Sequence, residues 1–356
     1  MSYRFRRSVK FAPGVRLNFN KSSMGVSVGP RGAHVSVNTK GQLYSSAGIP
    51  GTGLYNVQRT SLHSPKSPSS SESAIKSTYQ QSGIANTAPQ SPGLFSGKAE
   101  KEFFKYIRDI YDSSSPLTAA QVSEKASVLI GRYPDLSLLV QTAAVVVLLS
   151  TVATATLGEE WVKKAWENRL ELAEAKLFKK YFPALHVTIY LAHGVGLTSI
   201  FDIAALGYLY SESLQRSGKY LDALAVVQGF EQNIYTRVAI ADLQVALGKY
   251  DEIIASTEDL INEDDPTALL LTFRGVALRE EGFYEAAREA FRTAHASKKR
   301  SEDVLNFTLF ERATCYEMEQ KYALALKDLE KIMATDSSYE GLMERITKLR
   351  AESHRP

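Results

Sequence analysis

Two glycine-framed segments near the start of the chain carry the outline of catalytic motifs. Gly25-Val26-Ser27-Val28-Gly29 matches G-x-S-x-G, in which a serine on a strained strand-to-helix turn attacks an acyl carbon, with an acid and a histidine downstream. Here the flanking valines alternate with polar residues, so Ser27 falls inside a β run and nucleophilic catalysis is not expected. Gly48-Ile49-Pro50-Gly51-Thr52-Gly53 begins like a phosphate loop. Leu54 and Tyr55 stand where Lys and Ser/Thr would hold phosphate and magnesium, so a Gly/Pro turn is the reading. The six histidines, His34, His63, His186, His193, His295 and His354, form no metal-ligand spacing. His186 and His193 stand seven apart beside an apolar helix, as core or surface residues. Cys315 reads as a small buried hydrophobe. A lone cysteine excludes a disulfide framework and multi-cysteine zinc sites, and it favours a reducing compartment. No cofactor or metal is expected, and the chain does not read as an enzyme.

The elements around these residues divide sharply by charge. Of the 356 residues, 44% are hydrophobic and 23% charged, enough to bury a core across two or three domains. The net charge of +3 conceals an asymmetry: residues 1–71 contain ten Lys/Arg and no Asp or Glu, and the remainder holds 32 against 39. No leader peptide is expected, since Arg4, Arg6, Arg7, Lys10 and Arg16 interrupt the first twenty residues. A cytoplasmic location follows.

Residues 1–60 form a small basic β domain. Val15–Phe19, Val26–Val28 and Val35–Val37 alternate with period 2, and turn clusters at 20–23, 29–32 and 38–41 separate them as an antiparallel meander. The wet face carries Arg16, Asn18, Ser27, His34, Ser36 and Asn38. Residues 61–98 hold eleven serines and four prolines, the composition of a flexible linker. From Ala99 the pattern is helical to the end, with a helical domain over 99–198. Glu100–Tyr111 is one helix, Thr118 caps another that runs to about Tyr133, and Val162, Trp166, Leu170, Ala173, Leu177 and Tyr181 make one apolar stripe ended by Pro183. Leu136–Leu157 has 22 residues without a charge, long enough to span a bilayer. Seven of them are polar, so a helix buried in an α-domain core is favoured over inner-membrane association.

Residues 199–356 carry an internal repeat. Gly218-Lys219-Tyr220, Gly248-Lys249-Tyr250, Gly282-Phe283-Tyr284 and Gln320-Lys321-Tyr322 line up, with the tyrosines 30, 34 and 38 residues apart. An apolar face follows each: Ala223, Val227 and Phe230; Ile253 and Leu260; Ala287, Phe291 and Ala294; Ala325, Leu329 and Ile332. The pattern resembles the tetratricopeptide repeat, a pair of antiparallel helices joined by a Gly-x-Tyr turn. The third unit fits best, through Gly275, Leu278, Gly282, Tyr284, Ala287, Phe291 and Ala294. The second departs at Ile253 and Thr257. Tyr339–Glu352 would cap the array. The resemblance implies a mainly α fold, a tetratricopeptide-like α-solenoid whose concave face, lined by the first helix of each pair, binds a protein or peptide. Its groove positions fall on Tyr208, Glu212 and Gln215; Tyr235, Val238 and Asp242; Thr272, Val276 and Arg279; and Phe310, Thr314 and Glu317. Tyr208, Glu212, Val238 and Asp242 replace the Lys and Asn with which some members grip a C-terminal carboxylate, so that ligand is disfavoured. The alternative is that the groove packs against the chain's own helices at 99–198.

The opening Tyr3-Arg4-Phe5-Arg6-Arg7-Ser8, Ala12–Asn18, Gly25–Gly29 and Gly48–Leu54 together resemble a bacterial N-terminal domain of unknown function, number 4236. That resemblance implies a bacterial origin and a small β fold, and it supplies no activity. The function expected is a non-enzymatic adaptor or scaffold. The alternative is weak, sequence-indifferent polyanion binding by the basic head through Arg4, Arg6, Arg16, Lys21, Arg31 and Lys40. A membrane-tethered scaffold is a weaker third reading, and the oligomeric state is left open.

Overall fold

The computed structural model describes residues 91–111 and 117–353, together with the backbone of six strands between 6 and 61. These strands are β1 (Arg6–Ala12), β2 (Val15–Asn20), β3 (Met24–Val28), β4 (Ala33–Asn38), β5 (Gln42–Gly48) and β6 (Tyr55–Ser61). They pair in sequence order as one antiparallel meander. Register places Val9, Leu17, Val26, Val37 and Leu43 in one cross-strand row. Lys10, Arg16, Ser27, Ser36, Tyr44 and Arg59 fill the adjacent row. Residues 62–90, where most of the expected linker falls, lie outside the described residues.

The chain divides into two units. The unit built from 81–189 and 196–232 begins with α1 (Lys98–Tyr111) and α2 (Ala119–Arg132). Thr118 caps α2 as expected: its hydroxyl accepts from the Gln121 amide, and the Gln121 side chain accepts from the Thr118 amide. The charge-free segment is not one helix. It forms α3 (Ser137–Leu148), breaks, and resumes as α4 (Val152–Glu167). At the break the Ser150 and Thr154 hydroxyls donate to the Val147 and Leu148 carbonyls, giving the backbone partners outside the helical ladder. Among the described residues no helix is long and apolar enough to cross a membrane. The membrane-tethered alternative through Leu136–Leu157 therefore loses its basis. Val140, Ala143, Ala144 and Leu148 are buried on α3, as the core reading anticipated.

The single stripe expected over 162–181 is likewise broken. Asn168 ends α4, α5 (Arg169–Glu174) and α6 (Lys176–Tyr181) follow, and Leu170 is exposed. An extended Ala175 resets the helical phase, which a constant spacing rule cannot register. The helical reading of 186–200 also gives way, to a two-stranded sheet of β7 (His186–Ala192) and β8 (Val195–Ile200). Val187, Ile189 and Leu191 are buried at every second position, the strand period.

Four helix pairs follow: α7 (Ile203–Arg216) with α8 (Tyr220–Gln228), α9 (Ile234–Leu247) with α10 (Tyr250–Ser256), α11 (Asp265–Glu280) with α12 (Tyr284–Ala294), and α13 (Glu302–Met318) with α14 (Tyr322–Thr335). The first pair belongs to the unit just described. The other three, with the capping helix α15 (Leu342–Ser353) and the hairpin tip Tyr190–Val195, belong to the second unit. Every second helix starts on the repeated tyrosine. Each turn is closed by the same bond, donated by Lys219, Lys249, Phe283 or Lys321 to the carbonyl five residues earlier, at 2.8–2.9 Å. This Schellman closure needs a left-handed residue. Gly218, Gly248 and Gly282 supply it, and Gln320 does so at φ 60. Within the third pair, Gly275 faces the ring of Phe291, and a Cβ there would stand 2.6 Å from a ring carbon. The missing side chain is what lets α11 and α12 approach. In the second pair the Thr257 hydroxyl donates to the Ile253 carbonyl, while Arg274 takes the Ile254 carbonyl at 2.6 Å and closes the short α10.

Candidate functional site

The first helices α9, α11 and α13 are fixed at their N-termini by side-chain caps. Asn233 accepts from the Tyr235 and Thr236 amides, Asp264 from Thr267, and Ser301 from Val304. These caps set the phase with which each helix presents its face.

The expected groove positions fall into distinct environments. On α9, Tyr235 and Asp242 are half-buried, whereas Val238 is fully buried. On α11, Thr272 is inaccessible. Its hydroxyl lies 2.7 Å from that of Thr308 on α13, one donating to the other, and each is also within hydrogen-bond distance of a carbonyl of its own helix. Val276 and Arg279 are buried as well. Arg279 is held by Glu280 and Glu311, both at 2.8 Å. Burial would lower its pKa, but the two carboxylates outweigh that and raise it, so the guanidinium stays charged.

The fourth set is gathered by one residue of the capping helix. Arg345 stacks its guanidinium over Phe310 at 4.4 Å, donates to the Thr314 hydroxyl at 2.7 Å, and pairs with Glu317. Tyr339 adds a ring 5.2 Å from Phe310. In the other unit, Tyr208 is buried edge-on against Phe230, and Gln215 is buried. Glu212 pairs with Arg216 at 2.8 Å, and Arg216 in turn donates to the Leu149 carbonyl.

Five residues that spacing did not single out for this face, His193, Gly194, Phe273, Asp303 and Phe307, meet on it. The turn joining β7 to β8 is His193-Gly194, both with positive φ, 40° and 84°. This is the pattern of a type I′ two-residue hairpin. The His193 imidazole lies flat on Phe307 of α13, with centroids 3.4 Å apart and planes 9° apart. Phe273 of α11 presents an edge at 5.9 Å. Nε2 stands 3.9 Å from an Asp242 carboxylate oxygen. Gly194 faces Asp303, whose Cβ would lie 2.4 Å from any added Cβ. Phe273 and Phe307 are one residue after and three before the expected positions Thr272 and Phe310. The signal that would have found them is the pairing of aromatics at 273 and 307 with the alternating run before His193.

Among the polyanion candidates, Arg6 lies on β1 and Arg16 on β2. Arg16 sits in the same cross-strand row as Lys10 and Arg59. Arg4, Lys21, Arg31 and Lys40 lie outside the described residues. Ser27 is within β3, paired with Arg16 and Ser36, not on a strand-to-helix turn. Cys315 is buried with its Sγ 3.9 Å from the Tyr284 carbonyl, and burial pushes its thiol up to about 11. It is a protonated packing group at neutral pH. No group of three or more His, Cys, Asp or Glu among the described residues is arranged to hold a metal.

Residues 3–57 match the family described as "Protein of unknown function (DUF4236)". No curated protein matches the chain. Among solved structures, the N-terminal domain of the EccA1 ATPase from the ESX-1 secretion system of Mycobacterium tuberculosis is similar at a TM-score of 0.55 and 11% identity, over 71% of this chain and 89% of that one. A tetratricopeptide repeat protein from Parabacteroides merdae aligns at a TM-score of 0.40 and 14% identity, over 71% of this chain and 100% of that one. Along the chain, the segment 3–57 that this family model matches precedes four helix pairs with the repeated turn.

Proposed function

We propose that the protein is a non-enzymatic adaptor that recruits a protein or peptide partner on the first-helix face of its repeats. The observation that carries this reading is the repetition itself. Four Gly-x-Tyr-type turns share one closing bond, and in the second unit three such pairs follow one another, the kind of repetition that builds an extended surface instead of a single enclosed site. Tyr235 and Asp242 on α9 supply an aromatic and a charge that are partly accessible, the combination that anchors peptides in such faces. Affinity capture with the full chain, beside a Tyr235→Ala/Phe310→Ala variant of unchanged helicity, tests it. A partner retained by the parent and lost by the variant is expected. Identical captured sets would remove the reading.

A second reading is favoured by the sheet register. Lys10, Arg16 and Arg59 fall in one cross-strand row of the meander, a register that clusters basic residues. Such a cluster attracts phosphate without base recognition, and its affinity falls steeply with salt. The full chain should bind a labelled single-stranded oligonucleotide weakly at low salt, and Arg16→Glu/Arg59→Glu should abolish binding. Salt-insensitive binding, or none, would dismiss it.

A further inference from the structure

We propose that the tip of the β7–β8 hairpin is an internal ligand for the first-helix face of the second to fourth repeats. The partner it stands in for carries a planar cationic side chain followed by glycine in a tight turn. This rests on the adaptor reading above and names the ligand chemistry of the same face.

The slot is specific in shape. Phe307 offers a flat ring, Phe273 an edge and Asp242 a carboxylate, and the imidazole of His193 answers all three. An aromatic face with an acid beside it selects a flat group able to bear positive charge, which among side chains means histidine or arginine. The next position must be glycine for two separate reasons. Its φ is +84°, and a Cβ there would collide with Asp303. His193 itself is at φ 40, an uncommon conformation for a residue with a Cβ. A turn of this type is better served at that position by Asn, Asp or Gly. The histidine is explained by what its ring touches, not by the turn it makes. Its neighbours Leu191, Ala192 and Val195 are buried as well.

A competing segment must displace this tip. While the tip is in place Phe273 and Phe307 are buried, and its departure would uncover two adjacent aromatic rings. Such a patch is readily covered by a segment of matching chemistry. The docked hairpin would hold the face closed until a partner of sufficient affinity arrives.

The test uses the full chain and a labelled, head-to-tail cyclised peptide bearing residues 188–198, followed by fluorescence anisotropy. Full chain with His193→Asp, which sets a carboxylate against Asp242 and Phe307, should bind this peptide at least tenfold more tightly than the parent. The same cyclic peptide carrying His193→Asp should bind neither. Equal binding to both chains, or binding to neither, overturns the proposal. Should His193→Asp prevent folding, Gly194→Ala expels the tip by a different route and carries the same expectation. In the unaltered chain, saturating peptide should speed hydrogen exchange at the amides of 191–195, and unchanged exchange counts against displacement. Peptide binding in this form, with no partner lost on Tyr235→Ala/Phe310→Ala, would retain the internal ligand and remove the adaptor reading. The reverse result removes the internal ligand alone.

Discussion

Replacing Gly275 by alanine sets two effects of opposite sign against each other. Alanine is the better helix former by about 1 kcal/mol in a helix interior. The added methyl, however, would sit 2.6, 2.7 and 2.9 Å from three carbons of the Phe291 ring, which is itself fully buried. Displacing a packed ring costs about 1–3 kcal/mol. The balance is a loss of roughly 0.5–2 kcal/mol, localised to α11 and α12. Both tryptophans, Trp161 and Trp166, lie in the other unit, so their fluorescence would not report it. Hydrogen exchange read by mass spectrometry on peptides from 265–294 would. The decisive arm is the same substitution in a Phe291→Leu background. With the ring gone, Gly275→Ala should turn from destabilising to stabilising by about 1 kcal/mol, the bare propensity difference. The sign change separates steric contact from propensity. If alanine slows exchange in both backgrounds, the close approach of α11 and α12 does not depend on Gly275, and the argument fails.

Gln320 takes the left-handed place that glycine fills in the other three turns, so Gln320→Gly should stabilise the fourth pair by about 1 kcal/mol, visible as slower exchange across 302–335. Asp328 is buried and accepts from two nitrogens of Arg312, at 2.7 and 2.8 Å, and from Lys331 at 2.9 Å; with Lys331 left as a partner, Arg312→Ala should cost about 1.5–3 kcal/mol, measured the same way, while Arg312→Ala/Asp328→Ala recovers part of it. Hydrogen bonds from Lys180 and Tyr181 hold the Glu100 carboxyl at about 2, below its ordinary 4.5. The folded form therefore binds its proton less readily than the unfolded form. The resulting stabilisation is full above pH 4.5 and is lost as pH falls from 4.5 towards 2, so Glu100→Gln should flatten the acid limb of tryptophan-monitored unfolding.

The repeat was legible because its turns are local. Tyr220, Tyr250, Tyr284 and Tyr322 each open a helix, and Thr118 caps α2, because a few adjacent residues decide each of these outcomes. Interruptions were less visible. Residues 136–157 read as one apolar run, yet hydroxyls at Ser150 and Thr154 offer carbonyls an alternative partner and the helix stops. The stripe through Leu170 keeps helical spacing across two breaks, and nothing in spacing alone marks where the phase resets. The strands at 186–200 do carry their signal, Val187-Thr188-Ile189-Tyr190-Leu191, but it is short and sits between long helical patterns. The face itself was read through a family's positions, which place Thr272 and Phe310 near the region. Which of the neighbouring rings meets His193 is decided by tertiary packing that no local rule contains.

The hairpin tip also orders events during synthesis. His193 leaves the ribosome before Asp242, Phe273 and Phe307, the last of them more than a hundred positions downstream. At elongation rates of about 5–20 residues per second, this is an interval of roughly 6–23 s in which the tip has no docking surface. The meander and each helix pair bring together neighbours in sequence and close as they emerge. The tip must wait for three later helices. Its Leu191 and Val195, buried in the folded chain, are apolar residues open to a nascent-chain chaperone during that interval, and chains truncated before α13 should stay chaperone-bound longer than the full chain.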